Sequence, residues 1–152
     1  MRKFVAAIKK INAENFKPFG RIIECPTGLR KDREKNLFHI VVSETQNVGW
    51  RIAYLVTRDK AINKLEKHPN TFESFEPVKG KTLIYAACDK NPDEIECFYL
   101  DKPVVLGKGV WHGVTTLGEE SEIKITENAN VECIFWPLNF SLGAKEEIFI
   151  TS

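Results

Sequence analysis

Two polar clusters, far apart in the chain, carry the residue types of a metal centre or an acid–base site. The first cluster is Glu66-x-His68-x4-Glu73, and the second places His112 within "LGKGVWHGVTT". Imidazoles and carboxylates are ligands that divalent metals accept, and the same groups act as general acids and bases. A fold that joins the two clusters would therefore place His68, Glu73 and His112 around one metal ion or one substrate.

The first cluster can be positioned in two ways. In a β-strand, side chains alternate between the two faces, so Glu66 and His68 would point in the same direction. Residues 59–67 can equally form an amphipathic helix that is capped by Asp59 and has an apolar face. Periodicity does not distinguish strand from helix for this segment, and both readings stay open.

The rest of the chain after residue 35 reads mainly as β-structure. Short segments rich in β-branched and aromatic residues are separated by Gly, Pro, Asn and Asp, which is typical of a sandwich or barrel. "DKNPDE" predicts a hairpin connection. "INAENFKPFG" predicts a helical turn, capped by Asn12 and closed by Gly20, and the tail "GAKEEIFITS" predicts a last helical turn or a loose end. The predicted strands are "NLFHIVVS", "VGWRIAYLVT", "KTLIYAACD", "EIECFYL", "KPVVL", "SEIKIT" and "NVECIFWPL".

Length and composition limit the function classes. The 152 residues fit one domain, 1–152, and the net charge of +1 gives no excess basic face for nucleic acid or an anionic membrane. The segment "MRKFVAAIKK" begins with basic residues, but its apolar run is too short for a signal peptide. The four cysteines form no CxxC pair, which predicts reduced, buried thiols and a cytoplasmic protein. The charge run "RKDREK" predicts a solvated loop.

The spacing of the clusters resembles the two cupin motifs, in words G-x5-H-x-H-x4-E-x6-G and G-x5-P-x-G-x2-H-x3-N. Five positions match: His68, Glu73, Gly80, Gly109 and His112. Three depart, with Glu66, Gly107 and Thr116 in place of the first His, the Pro and the Asn. The resemblance implies an all-β, jelly-roll type, cupin-like β-barrel with a short N-terminal helical turn and a minor C-terminal helix.

Most of the chain also resembles the ureidoglycolate lyase family, whose members split ureidoglycolate into glyoxylate and urea in allantoin degradation. The matching segments are "INAENFKPFGRIIE", "FHI", "LEKHPNTFESFEPVKG" and "VWH". The resemblance implies a homodimer, a small carboxylate substrate and a pocket around His68, Glu73 and His112, with a divalent metal as the expected cofactor. The pocket departs from the family at Gly107, Gly113 and Val114, and Glu73 replaces a Gln.

Several other polar and aromatic residues can be interpreted either as structural or as functional. Arg51 and Glu66 are candidate substrate-binding residues, because an Arg suits a carboxylate through a bidentate contact. His39, in "FHI", is expected to be a hydrogen-bonded strand residue. Trp111 is expected to face away from His112 into the core. The remaining aromatic residues are read as barrel packing: Trp50, Trp136, Phe72, Phe75 and Phe135.

Three hypotheses follow. The first is a carbon–nitrogen lyase acting on ureidoglycolate or a similar carboxylated hemiaminal. The second is a cupin-fold protein of another kind, either a metal-dependent enzyme on a different small carboxylate or a non-catalytic binding or sensing module, which the departures at Gly107 and its neighbours would favour. The third is a structural or assembly protein.

Overall fold

The computed structural model describes residues 2–28 and 36–150, and almost all of the regular structure is β. The single short helix is α1 (Ala13–Phe16). The strands are β1 (Lys3–Lys10), β2 (Gly20–Ile22), β3 (Arg51–Thr57), β4 (Ala61–Lys67), β5 (Glu73–Lys79), β6 (Thr82–Ala87), β7 (Glu96–Tyr99), β8 (Val104–Leu106), β9 (Trp111–Thr116), β10 (Ser121–Glu127) and β11 (Ile134–Ile150).

The strands form two layers. One layer is a closed barrel in the order β1-β11-β4-β9-β6-β7, and the other is a five-stranded sheet in the order β2-β8-β5-β10-β3. Antiparallel ladders dominate, but β1 runs parallel to β7 and to β11. The expected all-β barrel is confirmed. Among the described residues, no helix is long and apolar enough to cross a membrane.

Two apolar cores hold the layers together. One core lies between the sheet and the barrel and contains Phe16, Phe75 and Phe98, whereas the other fills the barrel and contains Leu65 and Trp111. Strand β6 contributes alternate residues to both cores, so its six residues are all buried. Because burial on both faces removes the need for polar positions, its sequence reads as a nearly continuous apolar run.

The N-terminal turn forms as predicted, and the C-terminal helix does not. Asn12 caps α1 through a reciprocal pair of hydrogen bonds with Asn15. Gly20 does not close the helix; it begins β2, where a Cβ would lie 2.0 Å from the carbonyl oxygen of Val105. The C-terminal segment continues β11 and pairs with β1, because an open barrel edge offers backbone partners that an isolated helical turn lacks.

Three further expectations need correction. "NLFHIVVS" forms no strand over residues 37–43, and it lies largely exposed. Trp50 and Phe135 are exposed rather than packed in the barrel, whereas Phe75 is buried as expected. The cysteines are free, but Cys25 and Cys133 are exposed, so only part of the buried-thiol prediction holds. The segment "RKDREK" lies outside the described residues.

Candidate functional site

The first polar cluster is positioned by a strand, which resolves the alternative for residues 59–67. β4 covers Ala61–Lys67, and Glu66 is paired directly with His112 on β9. This is the single ladder pair between β4 and β9 within the described part of the chain. His68 follows immediately after β4, so the end of one strand and the beginning of another bring three site residues together.

Glu73, at the start of β5, joins them from the opposite layer. Its carboxylate oxygens lie 3.3 Å from Nε2 of His68 and 2.9 Å from Nε2 of His112. Oε1 of Glu66 lies 3.9 Å and 3.7 Å from the same two nitrogens. His68, Glu73 and His112 are buried, and Glu66 is partly exposed. The structure thus brings together four of the five residues singled out from the sequence.

Both imidazoles are oriented through their other ring nitrogen. Nδ1 of His68 lies 2.9 Å from the carbonyl oxygen of Glu132, and Nδ1 of His112 lies 3.0 Å from that of Val110. Since a carbonyl only accepts, each Nδ1 carries the proton and donates it. When such a ring is neutral, its Nε2 lone pair is directed into the pocket, which is the usual arrangement of a histidine that binds a metal.

The donor set fits a divalent metal. Nε2 of His112 is buried and has no hydrogen-bond partner, because its short contact with Glu73 is poorly directed for a hydrogen bond. Donor atoms of Glu66, His68 and His112 lie within 4.8 Å of one another, as do those of His68, Glu73 and Glu127. Converging imidazole and carboxylate atoms with one orphaned nitrogen are what a bound cation would satisfy.

The charges of the metal-free site are strongly coupled. Burial alone would lower the pKa of His68, but the hydrogen bond and negative charge of Glu73 outweigh it and raise the pKa to about 9. Burial would raise the pKa of Glu73, yet contacts with His112 and His68 hold it well below its ordinary value. The two imidazoles thus outweigh the effect of desolvation on the pKa of Glu73.

The carboxyl group with a raised pKa is Glu127, which sequence reasoning missed. Burial, followed by its hydrogen bond with Glu73, raises the pKa of Glu127 to about 7, although Arg51 opposes the shift. Glu127 ends β10 and pairs with Arg51 at the start of β3. The one signal in the sequence is that side chains alternate along "SEIKITE", which places Glu127 on the same inward face as the two isoleucines.

Arg51 lies at the edge of this cluster. Its side chain is about half exposed, and its guanidinium contacts Oε2 of Glu127 at 2.7 Å and 2.8 Å. Arg51 shares its strand face with Leu55, which packs against the core between the layers. Arg51 thus faces inward, and the carboxylate of Glu127 already occupies its guanidinium.

Two cavities reach the cluster from different sides. A cavity of about 530 Å³ lies mainly on the outer face of the sheet and touches the site only at Glu127. A smaller one, about 220 Å³, is lined by Lys64, Glu66, His112 and Gly113. The smaller cavity is the better candidate for substrate, because it borders the imidazole of His112 and the carboxylate of Glu66. Its volume is below the roughly 300–1,000 Å³ of drug-sized pockets and suits a small molecule.

Gly113 and Lys64 shape the small cavity. A Cβ at position 113 would lie 2.5 Å from Cδ1 of Ile62, so a larger residue there would displace that side chain. Nζ of Lys64 lies 4.6 Å from the centre of the Phe135 ring and supplies a positive charge at the cavity wall. Sequence reasoning does not single out Lys64 as a cavity residue, because strand position alone does not reveal a cavity.

The two other residues weighed from the sequence do not join the cluster. Trp111 faces the core inside the barrel and packs against Trp136, opposite to His112, as predicted. His39 is exposed in the segment that forms no strand, so the expected hydrogen-bonded strand role is wrong.

Two buried histidines and two buried glutamates, with the partly exposed Glu66, thus converge in a two-layered all-β fold. The ureidoglycolate lyase family model matches residues 3–134, and the chain belongs to this family. The match supports lyase activity on ureidoglycolate. Comparison with curated proteins found no match.

Solved structures give weaker similarities. Procruciferin, an 11S globulin from Brassica napus, is 12% identical with a TM-score of 0.47, over 55% of this chain and 22% of its own. The S161A mutant of Bacillus subtilis oxalate decarboxylase is 20% identical with a TM-score of 0.45, over 60% and 24%. The chain thus spans about a quarter of the length of the structures that it matches.

Proposed function

We propose that this chain is a single-domain, cytoplasmic enzyme that cleaves ureidoglycolate to glyoxylate and urea in allantoin degradation. The observation that supports this most directly is the convergence of His68, Glu73 and His112 beside a small cavity in a member of the ureidoglycolate lyase family. The same family resemblance leads us to propose a homodimer. A substrate of this size, bearing one carboxylate, suits the small cavity and its Lys64 wall better than the larger apolar one.

The reaction needs three functions from the protein. The substrate carbon carries a hydroxyl and a ureido nitrogen; the hydroxyl proton leaves, the carbon–nitrogen bond breaks to give the aldehyde, and the nitrogen gains a proton. Lys64 would hold the carboxylate, with Arg51 as the alternative at the other edge. Holding the substrate in one orientation accounts for much of the rate gain in such unimolecular cleavages.

Proton transfer is assigned by the charge state of each group. Glu73 is held ionised between two imidazoles and is too weak a base to take an alcohol proton, so we assign it to fixing their positions. Nε2 of His112 is unpartnered and faces the pocket, which suits it to accept the hydroxyl proton. Glu127, with its pKa raised to about 7, is poised to exchange a proton near neutral pH.

A divalent metal, where bound, would be held by His68 and His112 with Glu66 or Glu73, and would polarise substrate oxygens as a Lewis acid. In that state the imidazoles are ligands and proton transfer falls to the carboxylates. The protein's own contribution is the same in both states: the backbone carbonyls of Glu132 and Val110 keep the two Nε2 atoms directed at one point.

The test is turnover of ureidoglycolate by the purified protein, measured as glyoxylate and urea, after metal removal and again with added divalent metals. We expect both products in equal amounts, with a large loss in His112→Ala. Metal content measured by mass spectrometry should fall in the same variant. Absence of turnover in every metal state contradicts the proposal: stoichiometric metal would then favour another cupin enzyme, and no metal a binding module.

A further inference from the structure

Glu66 is oriented in a different way from the two histidines beside it. His68 and His112 each bind a backbone carbonyl through a second ring nitrogen. Glu66 stands in place of the first histidine of the cupin motif and has no such nitrogen. Its flexible side chain is partly exposed, so another contact is needed to keep the carboxylate in one orientation. The side chain of Cys133 supplies that contact.

The thiol of Cys133 donates a hydrogen bond to the carboxylate of Glu66. Sγ lies 3.1 Å from Oε2, and the thiol is the donor because a carboxylate oxygen accepts. The other oxygen, Oε1, lies 3.9 Å from Nε2 of His68 and 3.7 Å from Nε2 of His112. The contact with Cys133 therefore fixes which carboxylate oxygen faces the two imidazoles.

An independent observation shows that the oriented oxygen faces a place where a ligand is needed. The side chain of His112 is 4% exposed, and its Nε2 has no hydrogen-bond partner among the described residues. Donor atoms of Glu66, His68 and His112 lie within 4.8 Å of one another. Imidazole and carboxylate are donors that a divalent cation accepts. A group that fixes Glu66 therefore acts on the part of the pocket that can bind a cation.

The segment that carries Cys133 is itself held in place by Asn70. Oδ1 of Asn70 accepts a hydrogen bond from the backbone nitrogen of Glu132 at 2.9 Å, and its Nδ2 donates to the carbonyl oxygen of Asn130 at 2.9 Å. The carbonyl oxygen of Glu132 in turn accepts the proton of Nδ1 of His68. Two adjacent residues thus orient two members of the cluster, Glu132 through its main chain and Cys133 through its side chain.

We propose that Cys133 is a positioning residue of this pocket, whose thiol holds Glu66 in the orientation that binds a divalent cation together with His68 and His112. The proposal rests on the proposed function only in that both use the same pocket. Removing an outer hydrogen-bond partner of a metal ligand typically weakens metal binding by about 10–100-fold. Because a thiol is a weak donor, the effect of Cys133 should lie at the lower end of that range.

The experiment measures the binding of Co²⁺ to the purified full chain after metal removal, followed by visible absorption with no substrate present. Cys133→Ala removes the donor, Cys133→Ser keeps a hydroxyl donor, and Cys25→Ala is the matched control, because Cys25 is the other exposed cysteine. We expect Co²⁺ to bind about tenfold more weakly to Cys133→Ala, with most of the loss restored in Cys133→Ser. Binding to Cys25→Ala should equal that of the wild type.

Crystal structures of the metal-free wild type and of Cys133→Ala add a readout that needs neither cation nor turnover. In the variant, Oε1 of Glu66 should turn away from the two Nε2 atoms or occupy more than one position. An unchanged Glu66 in Cys133→Ala, no Co²⁺ binding by the wild type, or equal losses in Cys133→Ala and Cys25→Ala overturns the proposal. Absence of ureidoglycolate turnover beside the expected Co²⁺ results contradicts the proposed function and leaves the role of Cys133 standing.

Discussion

The two faces of the five-stranded sheet reverse the usual distribution of side chains. The inner face presents buried Glu73 and Glu127 beside two histidines, whereas the outer face presents exposed Trp50, Ile52 and Tyr54. Arg51 and Ile52 are adjacent in β3 and belong to different faces. Buried charge lowers the free energy of unfolding unless it is paired, and exposed apolar area contributes to stability only when something covers it. Each face of the sheet therefore gives up some stability, the inner face by burying charge and the outer face by exposing apolar side chains.

The sharpest test of the comparison is Glu73→Ala against Glu76→Ala, two glutamates of β5 that lie on opposite faces. Glu73 contacts both imidazoles, whereas Glu76 pairs with Lys124 on the outer side. We expect kcat/KM for ureidoglycolate to fall by about 10–100-fold in Glu73→Ala, because the imidazoles lose the carboxylate that fixes their positions. In Glu76→Ala it should change less than about threefold. Equal losses in both variants would remove the distinction between the faces.

A second pair of variants compares packing. Phe75 is 3% exposed in the core between the layers, and Phe135 is 53% exposed on β11. Phe75→Ala should lower the free energy of unfolding by about 3–5 kcal/mol, because it removes buried area and leaves a cavity. Phe135→Ala should cost less than about 1 kcal/mol. Denaturant titrations measure both, and a Phe135→Ala cost near that of Phe75→Ala would show that this surface is covered in solution.

The buried charges predict how stability depends on pH in the metal-free protein. The pKa of His68 is raised from about 6.5 to about 9 on folding, so its stabilisation is complete below pH 6.5 and is lost as the pH rises through 9. The free energy of unfolding should fall by on the order of 1–3 kcal/mol between pH 6.5 and 9.5. Urea titrations at several pH values measure it, and the fall should be absent in His68→Gln.

Glu127 predicts a second change in stability, in a lower pH range, that the same urea titrations measure. Its pKa is raised from 4.5 to about 7 on folding, so its protonated form stabilises the fold below pH 4.5, and this contribution is lost as the pH rises to 7. Glu127→Gln should flatten the curve between pH 4.5 and 7 and leave the fall near pH 9 unchanged. A change confined to the upper window would contradict the assignment of the raised pKa to Glu127.

The smallest expected effect separates the candidate carboxylate binders. If Lys64 holds the substrate carboxylate, Lys64→Met should raise KM about tenfold with little change in kcat, because uniform binding is lost. Arg51→Met should then alter KM only a few-fold, since Glu127 already occupies its guanidinium. Steady-state kinetics decide between them, and the reverse order would restore Arg51 to the role that the sequence suggested.

The strands were predictable where periodicity and turn residues agree. β6, β7, β8 and β10 follow apolar or alternating runs, and Asn12 caps α1 as its residue type suggests. The segment "NLFHIVVS" has the same local pattern and forms no strand, because β-propensity requires a neighbouring strand and the described part of this chain provides none.

The site was predictable in part. The spacing of His68, Glu73 and His112 indicated a shared pocket, and strand pairing brings them together. Glu127 and Lys64 join through contacts between elements distant in the chain, which spacing does not encode. The lowered pKa of Glu73 has the same origin, because two imidazoles act on it from other parts of the chain.

Glu66 and His112 form the single ladder pair between β4 and β9 within the described residues, so binding in the pocket is linked to closure of the barrel. A ligand that contacts both residues would hold together two strands that share no other described ladder pair. Loading the pocket should therefore raise the melting temperature with ligand concentration, as expected for any ligand that binds only the folded state. It should also slow hydrogen exchange first in β4 and β9.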